Sequence, residues 1–252
     1  MPAPYDLFDY RRYWSGREYE DAAEKIAIAR FFNTIGERPC LIDVGGGFGR
    51  LTETYLNFGE KIVLTDPSEN NLVIAQKKFS KNGKIIYRKA SLPDLPFTDC
   101  SFDVVVMVRV IHHLADSQKT LKELSRILKP NGYLILEFAN KIHFLARIKA
   151  LLRGEFNFIS SLKTYEKRSK ESISKKKILF LNHHPKKIFI DLQKNDFKIL
   201  DYLSVSNFRS PIIKRIIPFK LLIFLENICQ RWLSSLFFGP SIFVLAKKSH
   251  NT

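Results

Sequence analysis

Cysteine is scarce in this chain. Cys40, Cys100 and Cys229 stand far apart, with no C-x-x-C pair and no Cys/His spacing. That pattern excludes a disulfide framework and a zinc site, and it fits a reducing, intracellular setting. The adjacent pair His183-His184 adds no metal signature, because neighbouring residues do not share a helix face. Long apolar runs are missing as well: the longest uncharged stretch, Trp232 to Ala246, is short for a membrane span and is interrupted by Gly239-Pro240. The opening residues, MPAPYDLFDYRR, lack the apolar core of a secretory leader. A soluble, cytoplasmic protein is expected.

A dinucleotide fingerprint is also absent. No choice of first glycine among Gly45, Gly46 and Gly47 places further glycines at both offsets of G-x-G-x-x-G, which removes the main support for a nicotinamide cofactor.

What the chain does have is Cys40 to Arg50, CLIDVGGGFGR: a short apolar strand ending in an acid, then four glycines, then an expected helix. Such a bend brings backbone N–H groups close to a ligand, since no Cβ holds the ligand away. A second strand-like segment, Lys61 to Thr65, ends in Asp66, where a nucleotide-binding βαβ unit places the acid that accepts from ribose hydroxyls. At 252 residues the chain is long enough for one α/β domain with a full core.

The pattern D-x-G-x-G-x-G, through Asp43, Gly45, Gly47 and Gly49, resembles that of the class I S-adenosylmethionine-dependent methyltransferases, most closely their small-molecule branch. The block RILKPNGYLILEF is similar to the same family, so the likeness covers residues 40 to 138. The resemblance implies a Rossmann-like methyltransferase fold. Its sheet would be mostly parallel and seven-stranded, with helices on both faces and an antiparallel last strand. It implies S-adenosylmethionine as cofactor and a single domain: residues 1–38 as an N-terminal cap, 39–138 as the cofactor core and 139–252 as the acceptor side.

By the same resemblance Tyr10, Tyr13, Trp14 and Arg17 are candidates to face the cofactor carboxylate or the acceptor. SLPDLPF, Ser91 to Phe97, looks like the family's adenine-edge loop. Its relatives carry an aspartate where this chain has Ser91, so the adenine contact falls to Ser91 and the backbone of Leu92, with Asp94 on the other side of the turn. The apolar run Phe102 to Val108 reads as a central parallel strand. It puts Arg109, His112 and His113 at the carboxyl edge of the sheet, where open α/β folds bind ligands. Arg109 joins the cofactor candidates; a histidine here often holds a loop in similar enzymes. No dyad identifies a catalytic base, and His113, His143 and Tyr13 are the candidates.

Charge divides the chain in two. Residues 1–138 are nearly balanced, with 19 Lys and Arg against 18 Asp and Glu, whereas residues 139–252 carry 22 against 7. Such asymmetry suggests an acidic partner on that side, an anionic membrane surface, an anionic substrate or nucleic acid, the alternative being a lysine-rich solvated surface. Lys163 to Lys177 reads as a charge-rich loop and Ile142 to Leu152 as a basic amphipathic helix. In the excursion Pro211 to Phe238, Leu221, Leu225, Ile228 and Trp232 share one helical face, opposite Asn227, Gln230, Arg231 and Ser234. Such a helix either covers the sheet or rests on an anionic membrane. The reading is methyl transfer to a small, amphiphilic acceptor. Its rivals are a silent cofactor-binding scaffold and RNA methylation, the latter without an N-P-P-Y-like tetrapeptide or an RNA-binding module.

Overall fold

The computed structural model describes residues 10–169, 171 and 178–249. Alternating strands and helices build a seven-stranded sheet. Its strands are β1 (Arg38–Val44), β2 (Gly59–Asp66), β3 (Ile85–Lys89), β4 (Phe102–Met107), β5 (Leu128–Ala139), β8 (Phe197–Val205) and β9 (Ser241–Lys248). They run in the order β3-β2-β1-β4-β5-β9-β8, and β9 is antiparallel to both of its neighbours. The expected fold class is the observed one.

The central strands are apolar because both faces are covered. One face packs on α2 (Glu18–Ile35) through Ala27, Ile28 and Phe31, and on α3 (Glu69–Lys78) through Leu72 and Ala75. The other packs on α4 (Ser117–Ile127) through Leu121 and Leu124, and on α7 (Pro185–Lys194) through Ile188 and Leu192. Asp116 caps α4 by accepting from the Lys119 N–H, and His184 caps α7 by accepting from that of Lys186. Register positions the site: Val44 lies opposite Thr65, and Asp43 opposite Val106. The strand ends carrying Gly45, Asp66 and Val108 therefore open on one edge.

Three expectations need correction. No α-helix follows the glycine bend. Two 3₁₀ turns do, Thr52–Thr54 and Leu56–Phe58, because the Tyr55 hydroxyl is drawn in to Asp43 and Thr52, and β2 begins at Gly59. Next, the spacing of Leu121, Leu124 and Leu128 predicts one helical face from Asp116 or Ser117 to a stop at Pro130-Asn131-Gly132, but α4 ends at Ile127 and Leu128 pairs with Phe102 as strand. Proline disfavours helical backbone at the residue before it, which shortens the helix. Finally, part of the charge-rich stretch is ordered as β6 (Tyr165–Glu166), which pairs with β7 (Leu181–Asn182); residues 170 and 172–177 of it lie outside the described residues.

The excursion holds two helices, α8 (Pro211–Ile216) and α9 (Phe219–Trp232). The second covers α2 and β8, with its polar groups turned inward. Leu222, Glu226 and Gln230 are buried, while Leu221, Phe224, Ile228 and Trp232 are exposed. Glu226 accepts from the Tyr19 hydroxyl at 2.6 Å and from the Ser206 and Asn207 N–H groups, and Gln230 donates to the Ala23 carbonyl. The remaining helices are α1 (Tyr10–Trp14), α5 (Phe144–Leu152) and α6 (Phe156–Ser160).

Candidate functional site

A cavity of about 360 Å³ opens above the ends of β1, β2 and β4, lined on one side by Gly45, Gly46 and Gly47. Its floor is Asp66, whose Oδ2 accepts from the Gly47 N–H at 3.0 Å. Oδ1 accepts from the Ser68 N–H at 2.9 Å and from the Asn71 amide at 3.2 Å. Three donors hold the carboxylate facing the glycine bend, as a charge-assisted network does.

The glycines divide by reason. Gly45 has φ 73°, and a Cβ there would stand 2.4 Å from Val110; at Gly46 it would meet the Asp43 carboxylate at 2.5 Å. Gly47, φ 58°, faces open space, with Asp66 Oδ2 3.9 Å from where a Cβ would be. Gly49 does not line the cavity: at φ 73° it lies against Phe79, 2.7 Å from its would-be Cβ. It is a packing glycine.

Asp43 lines the cavity from below but is almost sealed, one oxygen accepting the Tyr55 hydroxyl. Burial, reinforced by Asp66 and opposed by that hydrogen bond, pushes its pKa up to about 6. Ser91 and Leu92 border the opposite wall, with Ser91 bridged to Asp94, which lies outside the lining.

Tyr13 and Trp14 close the cavity from α1. Arg50 lies over the Trp14 ring at 3.6 Å and Arg109 at 4.9 Å. Both guanidiniums bond to Glu24, fully buried on α2, with Arg109 Nε at 2.7 Å from its Oε1. Burial lowers the Arg109 pKa, but Glu24 and Glu137 outweigh it and hold the group charged. Arg17, expected at the cofactor, does not line this cavity; its guanidinium sits over the Tyr13 ring at 4.1 Å. Tyr10's side chain lies outside the described residues. Glu24 and Arg50 were not legible as site residues. The available signal was an acid within a buried helical stripe and an arginine directly after the glycines.

At the edge of β4 the histidines differ. His113 Nδ1 lies 2.6 Å from the Leu179 carbonyl and tethers the strand leading to β7, while burial lowers its pKa. His112 is buried with Nδ1 unpartnered; burial first, then His113 and Arg109, pushes its pKa far down. His143 lies outside the first cavity. It lines a second, smaller one of about 40 Å³, which shares Arg109, His112 and Phe180 with the first. Burial, then Arg209 and Lys167, lowers its pKa to about 4. Among the described residues no group of three or more His, Cys, Asp or Glu is placed to hold a metal.

Residues 42–136 match the model of the family described as "Methyltransferase domain". That stretch of the chain is similar to a methyltransferase domain. Outside it the likeness thins. The "Ubiquinone/menaquinone biosynthesis C-methyltransferase UbiE" of Shewanella sp. (strain ANA-3) is 33% identical over 121 residues, covering 44% of this chain and 48% of that protein. The "Ubiquinone biosynthesis O-methyltransferase" of Azorhizobium caulinodans is 31% identical over 102 residues, 40% of each. The chain thus spans less than half the length of the curated relatives it matches. Among solved structures, a SAM-dependent methyltransferase of Thermotoga maritima, described as a possible histamine N-methyltransferase, superposes with a TM-score of 0.62 at 20% identity. It covers 98% of both chains, a likeness of fold.

The likeness to a methyltransferase domain implies S-adenosylmethionine, and the residues present fit it. The cavity has nucleoside size, Gly47 leaves it open where a side chain would intrude, and a carboxylate is held at the second strand end by donors that leave it facing the bend.

Proposed function

We propose that this chain transfers the methyl group of S-adenosylmethionine to an oxygen, nitrogen or carbon atom of a small, amphiphilic acceptor. The observation that carries the reading is the Asp66 carboxylate facing the glycine bend across a nucleoside-sized cavity. In this reading Asp66 accepts from the ribose hydroxyls, Gly45 and Gly47 admit the backbone close to the ligand, and Asp43 shapes the floor beneath them. Ser91 and the Leu92 backbone meet the adenine edge. Arg109, fixed by Glu24, presents positive charge where the two cavities join. Residues 1–38 cap the cofactor, 39–138 hold it, and 139–252 receive the acceptor.

The bound sulfonium supplies a methyl carbon open to in-line displacement. The chain's part is to orient the acceptor and exclude water. Tyr13, Trp14 and Phe180 give the cavity apolar walls for this. His143, neutral at physiological pH but with a pKa near 4, is a weak base. His113 spends one ring nitrogen on Leu179, so positioning carries more of the rate than proton removal by either.

The exposed apolar faces of α5, α8 and α9 support contact with the inner face of an anionic membrane, from which an amphiphilic acceptor is drawn. A cytoplasmic, peripheral location follows from this reading.

Calorimetric titration with S-adenosylhomocysteine tests the assignment. Asp66→Ala, checked for native circular dichroism, is expected to weaken binding by about tenfold or more, the loss of a charge-assisted pair of hydrogen bonds. Unchanged affinity would remove the ribose assignment and the enzyme class with it.

A further inference from the structure

The second cavity is built from three cations and a neutral histidine drawn from separate parts of the chain. Arg109 comes from the end of β4, His143 from the link into α5, Lys167 from the end of β6, and Arg209 from the turn between β8 and α8. Arg17, at the start of α2, stands near enough to lower the pKa of both Lys167 and Arg209, after the effect of burial on each. Like charges brought together on a closed fold cost free energy unless something offsets them.

Acids nearby offset this charge only in part: Glu24 and Glu137 favour the charged form of Arg109, and Glu20 that of Arg209. Glu24 is taken by Arg50 and Arg109. Glu20 pairs with Lys214 at 3.1 Å. Glu137, buried beneath the cavity, accepts from the Ser241 hydroxyl and from the Arg109 N–H at 2.8 Å, and burial raises its pKa. Among the described residues the Lys167 ammonium and Arg209 guanidinium have no ion pair or side-chain hydrogen bond. Lys167 has only the Phe180 ring, 5.5 Å away. Polar donors line the same space: Asn140 holds the Phe237 and Gly239 carbonyls, and Asn182 and Ser206 border it. The space is small, too small for a ring but of the size of an anionic head group, and it adjoins the larger cavity, the two sharing Arg109, His112 and Phe180 in their walls.

We infer that this cavity is a head-group subsite, in which Lys167 and Arg209 hold a carboxylate or phosphate of the methyl acceptor while its apolar remainder lies towards Phe180 and the first cavity. The inference rests on the methyl-transfer reading and narrows its substrate class to acidic amphiphiles. Amines are disfavoured, since a protonated amine would enter a field already crowded with positive charge. Arg209 supplies a planar fork suited to two oxygens of one anion, and Lys167 a point charge at its side.

Calorimetry with octanoate, octyl phosphate, octanol and octylamine, all below micelle-forming concentration, tests this. Each is titrated into the free protein and into its complex with S-adenosylhomocysteine, at about 150 mM salt to screen the overall positive charge. One or both anions are expected to bind, with octanol and octylamine at least about tenfold weaker. The double variant Arg209→Gln, Lys167→Gln should lose anion affinity by about tenfold or more, whereas Lys119→Gln, Lys122→Gln on α4 should leave it within about twofold. Affinity of the double variant for S-adenosylhomocysteine should stay within about twofold of the parent. Preference between the anions assigns the head group. The subsite is overturned if octanol or octylamine binds as tightly as the anions, or if the double variant binds them unchanged. Failure to bind S-adenosylhomocysteine at all would strike the methyl-transfer reading separately, the anion series then standing on the free protein.

Discussion

Asp43 closes β1 with its carboxyl group withdrawn from water, facing the Tyr55 hydroxyl and the charge of Asp66. Its folded pKa of about 6 lies above the unfolded value of 3.8, so the folded state binds the extra proton between those limits. Stability from this group is fully present below about pH 4 and is lost as pH rises through about 6, by roughly 3 kcal/mol at most. Asp43→Asn should flatten that part of the profile, measured as urea midpoints from pH 4 to 7 without ligand; a profile identical to the parent would contradict it. Asp43 and Asp66 were legible as a pair because chain spacing alone brings two parallel strand ends together. Glu24 was not. Its partners Arg50 and Arg109 lie 26 and 85 positions away, and no local pattern announces an acid that joins them. Gly49 shows the opposite failure: it completes the motif by spacing, yet its missing side chain makes room for Phe79.

At the scale of elements, the strand ends at Asp43 and Asp66 and the apolar run Phe102 to Val108 were legible from local pattern, while the antiparallel last strand came from the resemblance. Patterns shorter than a helical turn did not show. The 3₁₀ turns after the glycines depend on Tyr55 reaching Asp43, a tertiary contact that outweighs local preference. The helix α9 is more instructive, because its two faces were legible while their direction was not. An apolar stripe normally faces the core. Here Tyr19 and the turn after β8 supply donors that the Glu226 carboxylate accepts, so Glu226 turns inward and the stripe turns out. Glu226→Ala, which leaves three buried donors unmet, is expected to cost roughly 3 kcal/mol or more. Phe224→Ser, on the exposed side, should change stability by about 0.5 kcal/mol or less. Urea unfolding of both variants decides the matter, and a larger loss for Phe224→Ser would reverse the assignment of faces.

Over the whole molecule, the outward apolar residues gather on elements that touch. Phe144 of α5 stacks on Phe238 at 4.6 Å, and Arg147 donates to the Leu236 carbonyl, which ties α5 to the chain leaving α9. On these helices Leu152 is 83% exposed, Trp232 78%, Ile216 72% and Ile212 70%. Lys149, Arg153, Arg215 and Lys220 stand among them. Two copies of such a face would repel one another, and a nucleic acid gains nothing from burying leucine and isoleucine. An anionic bilayer matches both the charge and the apolar side chains. His143, immediately before α5, and Arg209, in the turn before α8, put the inferred head-group subsite next to this face. No helix among the described residues is long and apolar enough to cross a membrane, and the contact proposed above is one of lying on the surface. The protein should therefore sediment with vesicles containing phosphatidylglycerol and not with pure phosphatidylcholine. Salt at about 0.5 M should weaken the binding through its electrostatic part. Trp232→Ser, Phe224→Ser should reduce it at every salt concentration while leaving the affinity for S-adenosylhomocysteine intact. Equal binding to both vesicle types, or no effect of the double variant, would place the acceptor's entry elsewhere and leave these helices without a lipid partner.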